Sequence, residues 1–216
     1  GIESHQIKPL FIILEGAFVM YSVDIENFNS FLDDTCRSLN ESNAKTALDG
    51  FFSCLNNIRN AVPIYFWRDT VVPRCRQSSL AKMLYQDPFT RHSAERPRGY
   101  PGDAELIDFI YGSANIKREL ANTTNFGRKF NEYIVNTAPG KAVRARKDMI
   151  AEEIDRIADE KAFPHILSVA CGHLREASLS KALKNRTLGR FVALDQDELT
   201  IESVQKEFSD MGVETF

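Results

Sequence analysis

The chain has 216 residues, 43% hydrophobic and 26% charged, with a formal net charge of -3. Such a composition belongs to a globular protein with a real core, and the length allows one large domain or two small ones. The slight acidic excess excludes the strongly basic surface of a nucleic-acid binder, so no nucleic-acid partner is expected.

The first part reads as helical. Residues 9–21 (PLFIILEGAFVMY) form an apolar run. It is too short to span a bilayer and lacks the basic region and cleavage site of a signal peptide. A buried helix is expected there, and no stable membrane insertion. Phe28, Phe31, Leu32, Cys36 and Leu39 recur at three- and four-residue steps, as do Ala47, Leu48, Phe51, Phe52, Leu55 and Ile58. These are the apolar stripes of two amphipathic helices. Asn43 is placed to cap the second, and residues 60–63 to end it. A further helical stretch is expected over 64–85. The N-terminal helices are also the expected surface for any homo-oligomer. Cys36, Cys54, Cys75 and Cys171 lie far apart with no CxxC pair. Neither a zinc site nor a disulfide framework is expected, and a reduced, cytoplasmic protein is the reading.

The texture changes at residue 87. Residues 87–112 (DPFTRHSAERPRGYPGDAELIDFIYG) hold three prolines and three glycines. Pro88, Pro97 and Pro101 each lack a backbone donor, so the first half is expected to be irregular. Asp103 is placed to cap a short helix carrying Leu106, Ile107 and Ile110 on one face. Pro139-Gly140 reads as a turn, and Val143, Ile150, Ile154 and Ile157 mark a helix to about Asp159. After Pro164 the period shortens. Residues 165–170 (HILSVA) read as a strand and 176–183 as a helix. Residues 190–194 (RFVAL) read as a second strand, 198–208 as a helix and the final VETF as the start of a third strand. Three regions follow: a helical region 1–86, a connector or lid over 87–140, and a nucleotide-binding half-sheet over 141–216. The fold class expected is α/β, Rossmann-like and incomplete as given, behind a helical region. With only its first strands present, such a sheet would have an open edge and an uncovered apolar face, as in a truncated chain or one that completes its sheet with a partner.

The chemistry is expected at the two strand ends. The turn after the first strand, with Gly172, lies where open α/β sheets bind ligands. A glycine there admits close approach of a ligand to the backbone. Asp195 ends the second strand, 23 residues beyond Gly172, and is placed to accept hydrogen bonds from ribose hydroxyls. A dinucleotide loop would need G-x-G-x-x-G, and Ala170-Cys171-Gly172-His173-Leu174-Arg175 has one glycine. S-adenosyl-L-methionine (SAM) carries no phosphate and asks less of the loop. Cys171 beside His173 is read as packing beneath the loop, not as a nucleophilic pair.

These residues resemble a family. Ile166-Leu167-Ser168-Val169-Ala170-Cys171-Gly172 is similar to the glycine-rich first motif of class I SAM-dependent methyltransferases, and Leu194-Asp195-Gln196-Asp197 to the acidic motif after their second strand. The chain departs from the pattern where Ser168 stands for the usual acid and Ala170 and Leu174 for the first and third glycines. Residues 96–103 (RPRGYPGD), with Ile110-Tyr111 beyond, resemble a segment of a bacterial methyltransferase group that includes synthases of 3-hydroxy fatty acid methyl esters. Arg144 and Arg146 lie in a helix that is also similar. The resemblance implies a SAM-dependent methyltransferase acting on a small-molecule acceptor, such as the carboxylate of a hydroxy fatty acid. It implies SAM contacts at Ser168, Ala170, Cys171, Gly172, His173, Asp195 and Gln196. Tyr100 and Asp103 would join from the lid. Arg144 or Arg146 is expected to reach the SAM carboxylate, and only one of them, because residues two apart on a helix point different ways. No metal is expected and no catalytic residue stands out. Two other readings share the frame: a nicotinamide-dependent oxidoreductase, and a non-catalytic helical interaction module with a vestigial site.

Overall fold

A computed structural model describes residues 10–12, 20–22, 24–40 and 44–216. The chain divides into two compact units, one ending at Gln86 and one spanning Asp87–Phe216.

In the first unit, β1 (Leu10–Ile12) and β2 (Met20–Ser22) pair antiparallel. The helix expected over 9–21 is therefore corrected at these positions. A short apolar run suits a strand as well as a helix, and Phe11, Ile12 and Tyr21 favour extended backbone. The remaining residues of that run, and the Asn43 cap, lie outside the described residues. Helices α1 (Ile25–Asn40) and α2 (Ala44–Ala61) follow. Asp24 caps α1, accepting from the N–H groups of Glu26 and Asn27 at 3.1 Å. The two helices bury the expected stripes, with Phe28, Leu32 and Leu39 on α1 and Leu48, Phe51 and Ile58 on α2. Residues 64–85 are helical, as expected. They form α3 (Ile64–Phe66), a wider π turn (Trp67–Val71), α4 (Val72–Gln77) and α5 (Ser79–Leu84).

The second unit starts with α6 (Pro88–Glu95), capped by Asp87. The irregular segment expected from residue 87 thus begins later. Pro88 sits in the first turn, where a missing N–H costs nothing. Residues 96–102 are non-helical. Asp103 then caps α7 (Ala104–Tyr111), accepting from the Leu106 N–H at 2.8 Å. Helices α8 (Ala114–Ala121) and α9 (Asn125–Val135) lead to the long α10 (Ala138–Glu160). Pro139 and Gly140 lie inside the first turn of α10 and do not make a separate turn. A side chain at position 140 would strike the Val135 carbonyl at 2.2 Å, which explains the glycine.

A parallel sheet completes the unit: β3 (His165–Val169), β4 (Arg190–Leu194) and β5 (Val213–Thr215), in that order across the sheet. His165 lies opposite Arg190 and Phe191 opposite Val213. Between β3 and β4 the single helix expected over 176–183 is instead a 3-10 turn (Arg175–Ser178) and a short α11 (Lys181–Lys184). Ser180 interrupts them by capping α11. Asp155 of α10 takes Ser180 Oγ at 2.6 Å and the Ala182 N–H at 2.9 Å, tying α10 to this crossover. Helix α12 (Glu198–Phe208) links β4 to β5. Ile154, Leu174, Ala177, Leu183, Phe191, Ala193, Val204 and Phe208 form the core on one side of the sheet. Leu167, Val169 and Leu194 on the opposite face are exposed. The architecture is a mixed α/β one, mostly helical, with a small parallel sheet. Among the described residues, no helix is long and apolar enough to cross a membrane.

Candidate ligand site at the strand ends

A cavity of about 870 Å³ opens at the C-terminal ends of β3 and β4. The strands contribute Ser168, Val169 and Leu194, and the loop after β3 contributes residues 170–174. Asp195 and Gln196 lie beyond β4; Tyr100, Gly102, Ile107, Asp108 and Tyr111 come from the α7 side. Arg146 and Ile150 come from α10, and Arg175 and Glu176 from the 3-10 turn.

The loop after β3 has an unusual backbone. Ala170 (φ 54°), Gly172 (φ 54°) and Leu174 (φ 48°) are all left-handed. These are the three positions at which the resembled motif places glycine. Only one is glycine here, yet the conformation is the same at all three. A side chain in that region costs about 1–2 kcal/mol, and such strain persists only where the surroundings enforce it. The enforcement is visible. The Cys171 N–H donates to the Leu194 carbonyl at 3.1 Å, and the Leu174 N–H to the Cys171 carbonyl at 3.1 Å. The Gly172 N–H donates to Asp195 Oδ2 at 2.9 Å. At Gly172 an added Cβ would meet only the Ala104 Cβ, at 3.7 Å, so glycine is required there by φ and not by space.

Asp195 therefore ties the two strand ends together. Its other oxygen accepts from the Asp197 N–H at 3.1 Å. A carboxylate offers about four acceptor sites, so capacity remains for hydroxyl donors of a ligand. Asp197 turns away to cap α12 and is gripped by the Arg96–Asp103 segment. Tyr100 donates its hydroxyl to Asp197 Oδ2 at 3.0 Å, and Arg98 pairs with Oδ1 at 3.4 Å. Burial, with the Asp197 carboxylate next, pushes the Tyr100 hydroxyl up to about 12. It thus stays a protonated donor at neutral pH.

Three acids of the cavity region differ in their partners. Asp103 does not line the cavity. It is buried under α7, with both oxygens 2.9 Å from His92 Nε2. Asp108 is also buried, and it is saturated. Arg175 donates to it twice, at 2.8 and 2.7 Å, and His173 Nδ1 lies 3.0 Å away. Burial alone would raise its pKa, but the Arg175 and His173 hydrogen bonds outweigh burial and hold it below the usual range. Arg175 also pairs with Glu207 at 2.6 Å. Glu176 is equally buried, but its carboxylate accepts only from its own backbone, and burial pushes its pKa up.

Sequence reasoning placed Ser168, Ala170, Cys171, Gly172, His173, Asp195, Gln196 and Tyr100, and the structure brings these eight around one cavity. It does not bring Arg144 there. That guanidinium donates to the Val135 carbonyl at 2.6 Å and to Asn136 Oδ1 at 3.1 Å, bracing α9 against α10. Arg146, two residues on, faces the cavity instead, as the helical period requires. Asp108, Arg175 and Glu176 went unread. Asp108 lies in an apolar helix stripe, and nothing in the chain order signals its pairing with Arg175. Cys171 is buried, and burial with the nearby Asp195 and Glu176 charges pushes its thiol up to about 12. That shift favours the protonated thiol at neutral pH, and His173 is turned to Asp108. Among the described residues no group of side chains is arranged to hold a metal ion. Comparison with protein-family models, curated proteins and solved structures gives no match.

Proposed function

We propose that the second unit is a Rossmann-like SAM-binding domain and that the chain is a SAM-dependent methyltransferase. The observation that carries this reading is the left-handed backbone at Ala170, Gly172 and Leu174, clasped by Asp195 from the adjacent strand end. Two non-glycine residues are held in a costly conformation at the place where a ligand would meet the backbone, which supports a ligand site there over a generic turn. The cavity volume suits a nucleoside-sized ligand.

SAM, when bound, supplies an activated methyl group for an acceptor. This chain's residues have the rest of the work. Backbone from Ala170 to His173 would lie against the ligand, with Ser168 at the strand end and Gln196 beside Asp195. The free acceptor sites of Asp195 would take the ribose hydroxyls. Tyr100 and the segment around it would wall the site and exclude water. The proposed acceptor is a small molecule with an ionisable oxygen, such as the carboxylate of a hydroxy fatty acid. Its support is the resemblance of residues 96–103 and the apolar Ile107, Tyr111 and Ile150 in the cavity. A carboxylate is already ionised at pH 7, so no general base is needed, and positioning carries the rate.

The test is calorimetric titration with S-adenosylhomocysteine, with NAD as control. Saturable binding of the first alone is expected. Binding of NAD alone would replace this reading with the nicotinamide one, and binding of neither would leave a non-catalytic module.

A further inference from the structure

We propose that residues 96–102 form a strap over the cavity, closed by a latch in which Tyr100 and Arg98 hold Asp197, and that release of this latch governs entry and exit of the ligand. Asp197 is then a positioning residue, acting on the cavity through Tyr100. The inference rests on the proposed function in taking the cavity as the ligand site, and is independent of which ligand fills it.

The strap has little other hold on the sheet. Pro97 and Pro101 have no N–H to give. Its backbone bonds run back to α6 or within itself, from the Arg96 N–H to the His92 carbonyl at 2.9 Å and from the Gly99 N–H to the Arg96 carbonyl at 2.8 Å. Among the described residues, no backbone hydrogen bond joins residues 96–102 to the loop after β3 or to the end of β4. Arg96, Pro97, Gly99, Pro101 and Gly102 are exposed, and Arg98 and Tyr100 are half-buried. Those two reach the same carboxylate, Tyr100 donating its hydroxyl to Asp197 Oδ2 at 3.0 Å and Arg98 lying 3.4 Å from Oδ1. Arg98 also lies 3.8 Å from Glu105 of α7, so Tyr100 is the prong that belongs to Asp197 alone.

The ends of the strap are fixed where its middle is not. His92, 2.9 Å from the buried Asp103, ties α6 to the start of α7. Between them the backbone is left-handed at Arg96 (φ 51°) and Gly102 (φ 76°). An added Cβ at Gly102 would meet nothing within 4 Å, so the chain there has room to swing. Tyr100 and Gly102 line the cavity, and a swing about these ends opens its wall. The latch also touches the acid that faces the ligand, because the Asp197 N–H donates to Asp195 Oδ1 at 3.1 Å. Exposed backbone held by few buried contacts is what local opening requires.

Cys171 reports the opening without any ligand. It is buried and lines the cavity, while Cys36, Cys54 and Cys75 lie in the first unit and serve as internal standards. The whole chain is treated with N-ethylmaleimide, and labelling of each cysteine is followed by peptide mass spectrometry in the unaltered protein, Tyr100→Phe and Asp197→Ser. Serine at position 197 keeps a cap for α12 but is too short to reach Tyr100. Both variants should speed labelling of Cys171 by about tenfold, the factor for losing a hydrogen bond to a charged group, and leave the standards unchanged. The Cys171 rate should also stay nearly flat in urea below the unfolding transition, because a strap exposes little surface when it opens. Unchanged labelling of Cys171 in both variants, or a rate that climbs with urea along the slope of global unfolding, would overturn the strap. Binding kinetics give the second readout. Association and dissociation of S-adenosylhomocysteine should quicken together in Tyr100→Phe, with Kd little changed. Faster dissociation alone would make Tyr100 a wall contact and overturn the latch. Failure of the unaltered chain to bind S-adenosylhomocysteine would count against the SAM reading, and the Cys171 rates would still decide the strap.

Discussion

The two walls of the cavity each carry a buried carboxylate, and the two are opposites. On the α7 wall Asp108 has a bidentate arginine and a histidine, and its pKa lies below the usual range. On the wall made by the 3-10 turn Glu176 has only its own backbone, and its pKa lies above the usual range. Burial acts on both in the same direction. Partners decide the outcome. The contrast separates a carboxylate saturated by its partners from one that no other described side chain neutralises. Each wall can be broken independently.

The largest effect is expected at Asp108. Asp108→Ala would remove the buried acceptor that Arg175 and His173 share, leaving Arg175 with Glu207 alone. Removing one partner of a buried pair costs about 3 kcal/mol or more, and thermal denaturation should show it as a marked fall in Tm. A Tm within a degree or so of the unaltered chain would mean that Asp108 braces nothing. Next is Asp195, which joins the loop to the second strand end. Asp195→Ala should weaken S-adenosylhomocysteine binding by about tenfold or more, equivalent to about 1.5–3 kcal/mol. Unchanged affinity in a folded variant would remove Asp195 from the site.

A smaller pair of effects lies in the loop itself. Gly172→Ala should cost about 1–2 kcal/mol in denaturant unfolding through its positive φ alone. Ala170→Gly should release strain at the neighbouring position, a gain of up to about 1 kcal/mol. Equal and negligible changes would mean that the left-handed backbone is not under strain.

The smallest effect is a pH dependence of opposite sign on the two walls. The folded pKa of Glu176 is raised, so the folded protein holds its proton longer than the unfolded chain. Stability from this group therefore falls as the pH rises from its ordinary 4.5 through the raised value. Asp108 is lowered, so its contribution is present above its ordinary 3.8 and fades only as the pH falls through the lower folded value. Glu176→Gln should accordingly raise Tm at pH 7 relative to the unaltered chain, with the gain shrinking as the pH approaches 4.5. A gain that stays constant with pH would show that ionisation of Glu176 is not its source.

Much of both units was legible in the chain order, because the signals are local. The stripes of α1 and α2, the Asp103 cap, the glycine after β3 and the acid after β4 each depend on residues close in sequence. Local signals also misled where two conformations suit the same residues. The apolar run at residues 10–12 and 20–22 forms strands. Pro88 and Pro139 open helices, because the first turn tolerates proline. What only tertiary structure decided is which side chains meet. Arg144 and Arg146 point different ways by the helical period, but packing decides that the first meets α9 and the second the cavity. Asp108 and Arg175 are 67 residues apart, and their pairing exists only because α7 lies beside the loop after β3. The left-handed backbone at Ala170 and Leu174 is of the same kind. Neither residue favours it, and it is held by hydrogen bonds within the loop and to the next strand end, the latter beyond any local preference.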